Sequence, residues 1–247
     1  MSVLPRKFNR LVGQALHTYR MLADGDRVLI AVSGGVDSLV LAWLLKHWHR
    51  KAPIDYQLLA VHLDMGFGDR EPLLVEEQLR LLGLPFDIEH TTFGREALRA
   101  EQGKSACYHC ARQRRNRLFA LAEEKGFNKV AFGHHQEDII ETFFLNLLYG
   151  GNMSTMVPRQ DLFGGGLTLI RPLALVEKEQ ISRLAAALGL KPVANPCPLA
   201  GGSKRESVRS LLTTLYASDP RIKANIFTAL ANPKPEYLLK PRGEQLC

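Results

Sequence analysis

Apolar and polar positions follow two rhythms along this chain. Near its start, Leu4, Phe8, Leu11, Val12, Ala15, Leu16 and Tyr19 recur close to a 3.6-residue period. That spacing predicts an amphipathic helix over residues 3–22, ended by Asp24-Gly25-Asp26. Residues 27–32, Arg-Val-Leu-Ile-Ala-Val, are nearly all apolar, as in a strand covered on both faces of a parallel sheet. Similar runs at 57–63, 86–89, 129–133 and 168–170 are separated by helical patterns, among them 37–49, 72–83, 109–126 and 136–149. The alternation predicts an α/β fold on a doubly wound parallel sheet. After residue 200 the strands stop, and helical patterns at 205–217 and 220–230 lead into a tail with Pro233, Pro235 and Pro241. The expected division is an N-terminal helix (1–24), a main α/β domain (25–200) and a helical extension with its tail (201–247).

Composition narrows the class. A chain of 247 residues with 46% hydrophobic content can bury one sizeable core. Its longest uncharged run, 142–158, is broken by glycines, asparagines and a proline, so no membrane span is expected. Arg6, Lys7 and Arg10 are followed by no apolar secretory region, which makes the cytoplasm the expected location. The net charge of +7 is uneven: four basic and no acidic residues fall in 1–20, six basic against Glu101 in 99–118, and eight basic against four acidic in 203–247. Such blocks point to a polyanionic partner, or else to solvated faces kept for solubility.

Ser33-Gly34-Gly35-Val36-Asp37-Ser38 sits where the first sheet strand turns into a helix, the place where α/β folds hold phosphates. The glycines permit a tight turn and let an anion approach backbone N–H groups, and Ser33 and Ser38 add hydroxyl donors. Asp37 would repel a phosphate unless a divalent cation bridged them, which points to Mg²⁺ bound with a nucleotide. No Walker A sequence is present, and a simple strand-to-helix turn is the alternative reading. Gly133-His134-His135-Gln136-Glu137-Asp138 also follows an apolar run and opens a helix. Adjacent histidines in extended chain face opposite ways, so a two-histidine metal site is not expected. Asp138 is a candidate Mg²⁺ ligand or base, against the alternative of an acid merely well placed at a helix N-terminus.

Cys107-Tyr108-His109-Cys110 precedes Arg112, Arg114 and Arg115, a third cysteine is Cys197, and Cys247 ends the chain. Four cysteines are too few for a disulfide scaffold. Nearby arginines should favour the thiolate form. Three ligands suit a 4Fe-4S cluster with one iron left open, and no second Cys-x-x-Cys is present to complete a zinc site. A dithiol or persulfide mechanism, zinc and unreactive cysteines stay as alternatives. Arg112, Arg114 and Arg115 are candidates for RNA contact or for a plain helix face.

The first loop resembles the PP-loop ATPases, which activate a carbonyl oxygen as an adenylate and release pyrophosphate. That resemblance implies ATP as substrate, with pyrophosphate cradled by the 33–38 loop and Ser33, Gly34, Gly35, Asp37 and Ser38 among the ATP-site residues. It also implies adenine against backbone near Val61-His62-Leu63-Asp64, with Leu63 and Gly133 as further ATP contacts. With the three cysteines included, the chain resembles the tRNA-cytidine 2-sulfurtransferase family. Gly25-Asp26-Arg27, Gly103-Lys104, Arg112-Gln113-Arg114-Arg115, the 145–151 segment and Ile170-Arg171-Pro172-Leu173 extend the match across most of residues 9–230. The implied activity is adenylation of the C2 oxygen of a tRNA cytidine and its replacement by sulfur, with Asp37 and Asp138 as catalytic residues. Implied too are Mg²⁺, a 4Fe-4S cluster on Cys107, Cys110 and Cys197, tRNA as partner, and a sulfur donor, either sulfide or a cysteine desulfurase. Members are commonly dimers, so a homodimer is an expectation of the resemblance alone. Two positions depart from the family pattern: Val36 stands where many members carry lysine, and the segment around Cys197 differs. The competing readings are a lysidine synthetase-like enzyme, which would leave the cysteines without a purpose, and a non-catalytic ATP- and cluster-binding regulator of RNA.

Overall fold

A computed structural model describes residues 4–100, 104–199 and 203–239. Gly103, Pro241 and Cys247, named above, lie outside the described residues, as do 200–202 of the segment after Cys197. Strands β1 (Asp26–Ala31), β2 (Tyr56–Asp64), β3 (Phe86–His90), β4 (Lys129–Ala131), β5 (Arg159–Leu162) and β6 (Leu167–Ile170) form one sheet in the order β3-β2-β1-β4-β6-β5. All pairings are parallel except that of β5 with β6. β1 lies centrally: Val28 pairs with Leu58 of β2 on one side and Lys129 of β4 on the other.

The two-residue period of β1 sends its side chains into two cores. Val28 and Ile30 join the core built with α1 (Arg6–Thr18), α2 (Val36–His49), α3 (Arg70–Leu82) and α7 (Lys178–Ala187), where Phe8, Leu41, Leu79 and Ile181 are buried. Leu29 and Ala31 face the other way, onto Leu118, Leu121 and Ala122 of α5 (Lys104–Glu124). Each fully buried side chain of this size contributes about 1.5–3 kcal/mol. Covering both faces explains the near-continuous apolar strand, and the doubly wound sheet expected from the sequence is present. The helices α8 (Lys204–Ser218) and α9 (Arg221–Leu230) pack on α6 (Gln136–Leu145) around Ile140, Val208 and Leu212. Among the described residues, no helix is long and apolar enough to cross a membrane.

Several element bounds differ from the sequence reading. The helix expected at 109–126 begins at Lys104, so Cys107 joins Cys110 within its first two turns and does not lie ahead of it. The helix expected at 136–149 ends at Leu145 and continues as a π-helical turn, Asn146–Gly150. α4 (Phe93–Ala100), α7 and β5 were not singled out, and β5 is an edge strand carrying Arg159, Gln160 and Asp161 instead of an apolar run.

Candidate functional site

The 33–38 loop leaves the carboxyl end of β1 and is tied by its own side chains. The Ser33 N–H donates to Ser38 Oγ (3.1 Å), Gly35 N–H donates to Ser33 Oγ (3.4 Å), and Ser38 Oγ donates to the Gly35 carbonyl (2.9 Å). Gly34 has a φ of +81°, and a Cβ there would lie 2.8 Å from Val75 and 3.3 Å from Val193. Only glycine fits both demands. Gly133, at the end of β4, is pressed against this loop: a Cβ would come within 2.9 Å of the Asp37 carbonyl carbon and 3.0 Å of the Ser38 nitrogen. The two nucleotide motifs therefore adjoin through backbone contact.

Cys107 and Cys110 stand one helical turn apart on α5, and Cys197 lies between α7 and α8, its N–H donating to Asn195 Oδ1 (3.0 Å). All three line one cavity of about 500 Å³ together with Ser33, Asp37, Ser38, Gly133 and Asp138. Arg114 and Arg115 also face this cavity, whereas Arg112 is exposed and is not among the residues lining it. Leu63 is buried on β2 and lines a smaller recess of about 240 Å³ beside Ser33 and Gly35.

Residues 3–215 match the PP-loop domain family. A tRNA-cytidine(32) 2-sulfurtransferase of Alkalilimnicola ehrlichii is 38% identical, over 96% of this chain and 76% of that relative. Its counterpart in Geobacter sulfurreducens is 36% identical over 98% and 95%. The chain belongs to the tRNA-cytidine(32) 2-sulfurtransferase family. The resemblance read from the motifs is borne out, and with it the expected enzyme class, a tRNA sulfurtransferase. Among solved structures, the U34-tRNA thiolase NcsA from Methanococcus maripaludis with its 4Fe-4S cluster superposes with a TM-score of 0.71 over 92% of this chain and 79% of that one. At 22% identity this likeness shows a shared fold.

In this member of the family, the carboxylates of the two motifs meet at His135. Its Nε2 lies 3.8 Å from Asp37 and 3.4 Å from Asp138, and its Nδ1 is 3.0 Å from Glu137. Burial alone would lower the His135 pKa, but the hydrogen bond to Glu137 and the nearby Asp138 and Asp37 carboxylates raise it. Glu137 feels burial in the opposite sense, yet hydrogen bonds from His135 and Lys223 bring it down to about 2. The sequence reading missed Lys178. From the N-terminus of α7 its Nζ donates to both oxygens of Asp37 (2.6 and 2.7 Å). Val36 instead packs half-buried against the core. Lys178 thus brings a cation beside the 33–38 loop from 141 residues away in sequence.

One expectation about the cysteines is corrected. Burial, followed by the neighbouring Cys197, pushes the Cys110 thiol above its usual range, with Cys107 adding to the shift, and Arg114 opposes them without prevailing. Among the described residues no three His, Cys, Asp or Glu side chains gather tightly enough to hold a metal ion. A four-iron cube spreads its ligands more widely than one ion does, and three thiols around a shared cavity fit such a group in number and in softness. Asp37 and Asp138 present hard oxygen donors of the kind Mg²⁺ takes, with nucleotide phosphates able to complete its shell.

Proposed function

We propose that this protein thiolates a cytidine of tRNA in the cytoplasm, activating the C2 oxygen with ATP before sulfur replaces it. One observation carries the reading: the phosphate loop and all three cysteines open onto the same cavity of about 500 Å³. The relatives' names supply the target base, a tRNA cytidine at position 32.

The chain's own residues account for most of the work. Backbone N–H groups of the 33–38 loop and the N-terminus of α2 receive the triphosphate. The C2 oxygen forms a bond to the α-phosphorus while the bond to pyrophosphate breaks, giving an adenylated base. Asp37 and Asp138 would hold Mg²⁺, which neutralises phosphate charge when bound. Cys107, Cys110 and Cys197 would hold a 4Fe-4S cluster, which when bound offers one iron without a protein ligand as a place for sulfur. Sulfur at the sulfide level bonds to C2 as the C2–O bond breaks and AMP departs; it arrives as sulfide itself, or as the outer persulfide sulfur of a cysteine desulfurase once a thiol reductant has supplied two electrons and left as a disulfide. Arg114 and Arg115 face the cavity and suit RNA phosphate, with Arg112 outside it as a peripheral contact. The target base must be unstacked for C2 to be reached. Convergence of the cysteines on the nucleotide site gives them a purpose that a lysidine synthetase would not.

The test is mass spectrometry of tRNA nucleosides from a deletion strain, with iron and sulfide analysis of anaerobically purified protein. Loss of 2-thiocytidine is expected. An unchanged thionucleoside profile, or ATP and RNA binding with no pyrophosphate released, would overturn the reading.

A further inference from the structure

His134 is the titratable residue of the second motif that lies outside the His135–Glu137–Asp138 cluster. It follows Gly133, where a Cβ would meet the Asp37 and Ser38 backbone, and it lines the same cavity. Its ring lies nearly parallel to Phe132, with centroids 5.5 Å apart and 11° between planes, so its orientation is set by stacking. Arg171 Nε donates to His134 Nδ1 at 3.2 Å. Arg171 is only 6% exposed, and its Nη1 donates to the Val157 carbonyl. A guanidinium has N–H donors and no acceptor, so Nδ1 must accept. The ring proton is then on Nε2, the nitrogen turned away from Arg171, for which no partner is found among the described residues. Burial and the Arg171 charge also lower the His134 pKa to about 4, which keeps the ring neutral at working pH.

We infer that His134 is a neutral Nε2–H donor aimed at an α-phosphate oxygen of the nucleotide, and that Arg171 is the positioning residue that fixes this tautomer. The inference rests on the thiolation reading. A fixed donor beside the phosphate loop meets charge that builds on the α-phosphate as the base attacks, with no reorganisation needed at that moment. Because the 33–38 loop holds the rest of the triphosphate, loss of the donor falls on turnover and leaves nucleotide affinity nearly intact.

Two measurements decide it. The first is the pair of ¹⁵N imidazole shifts of His134 in the full chain, expected to show protonation at Nε2 in the wild type and a mixture of tautomers in Arg171→Met. A wild-type ring protonated at Nδ1 overturns the inference. The second is tRNA-dependent pyrophosphate release from ATP by His134→Gln, whose amide can place a donor near Nε2, and His134→Asn, whose amide sits near Nδ1. The Asn variant should lose about a hundredfold in kcat with the KM for ATP within about twofold, and the Gln variant should stay within about fivefold of wild type. Equal losses in both, or a loss confined to KM, would overturn it. If Arg171→Met fails to fold, the two His134 variants decide alone. A wild-type protein that releases no pyrophosphate with ATP and tRNA brings down the thiolation reading, while the imidazole spectrum still decides the arrangement with Arg171.

Discussion

The two ends of the shared cavity are built differently. At the phosphate end, two loops from neighbouring central strands press backbone on backbone, and hydrogen bonds within 33–38 fix the turn. At the sulfur end, Cys107 and Cys110 ride on the first turns of α5, Cys197 hangs from a loop, and Cys107 is exposed. The phosphate end is organised by the fold itself. The sulfur end has little holding its thiols together except the inorganic group they would share, so damage to the two ends should separate cleanly between stability and chemistry.

The largest effect should come from Cys197→Ser. Thiolation of tRNA, read by nucleoside mass spectrometry, should fall below detection, while ATP binding by calorimetry and the melting temperature stay close to wild type. A parallel loss of ATP binding would make the cysteine a structural residue and erase the contrast. Gly133→Ala should do the reverse: its Cβ meets the Asp37 and Ser38 backbone, which cannot swing aside, so stability should drop by about 1–3 kcal/mol. Nucleotide affinity should fall at least about tenfold in the same variant, with iron content unchanged.

A third probe uses pH. Glu137 sits at about 2 in the folded chain against an ordinary 4.5. A depressed carboxylate stabilises fully above its unfolded value and loses that contribution as pH falls from 4.5 toward 2. Glu137→Gln should therefore cost about 2–3 kcal/mol at neutral pH and flatten the acid limb of stability measured by denaturant titration. A variant with an unaltered acid limb would show that the link from His135 through Glu137 to Lys223 is not held in solution. The smallest effect belongs to Arg112→Ala. This exposed side chain should reduce tRNA affinity only a few-fold and lower the salt dependence of binding by about one phosphate contact.

How far the sequence revealed all this follows the same division. The phosphate end was legible because its residues are local: apolar strand, glycine turn and helix start lie within a dozen positions. Gly133 and Asp138 could be placed beside it because successive parallel strands bring their carboxyl ends together. Lys178 was not legible, since nothing in α7 shows that its first residue reaches across to Asp37; that contact comes from how α2 and α7 pack. Nor did the pattern show that the helix extends back through Cys107. The basic and polar residues around it carry no apolar period, and burial of Ala106 and Leu118 is what assigns the helix its inner face. The Cys110 thiol was misread for a related reason, because charge is visible in a sequence and desolvation is not.

One backbone hydrogen bond ties the cavity's two ends together: Val193 N–H donates to the Gly34 carbonyl at 2.9 Å. Only three residues separate Val193 from Cys197. The third thiol is thus moored on a short leash to the glycine turn at the end of β1. The backbone of the Cys197 segment is thereby anchored beside the 33–38 turn, while the thiol itself stays outside the hydrogen bonds that fix that turn.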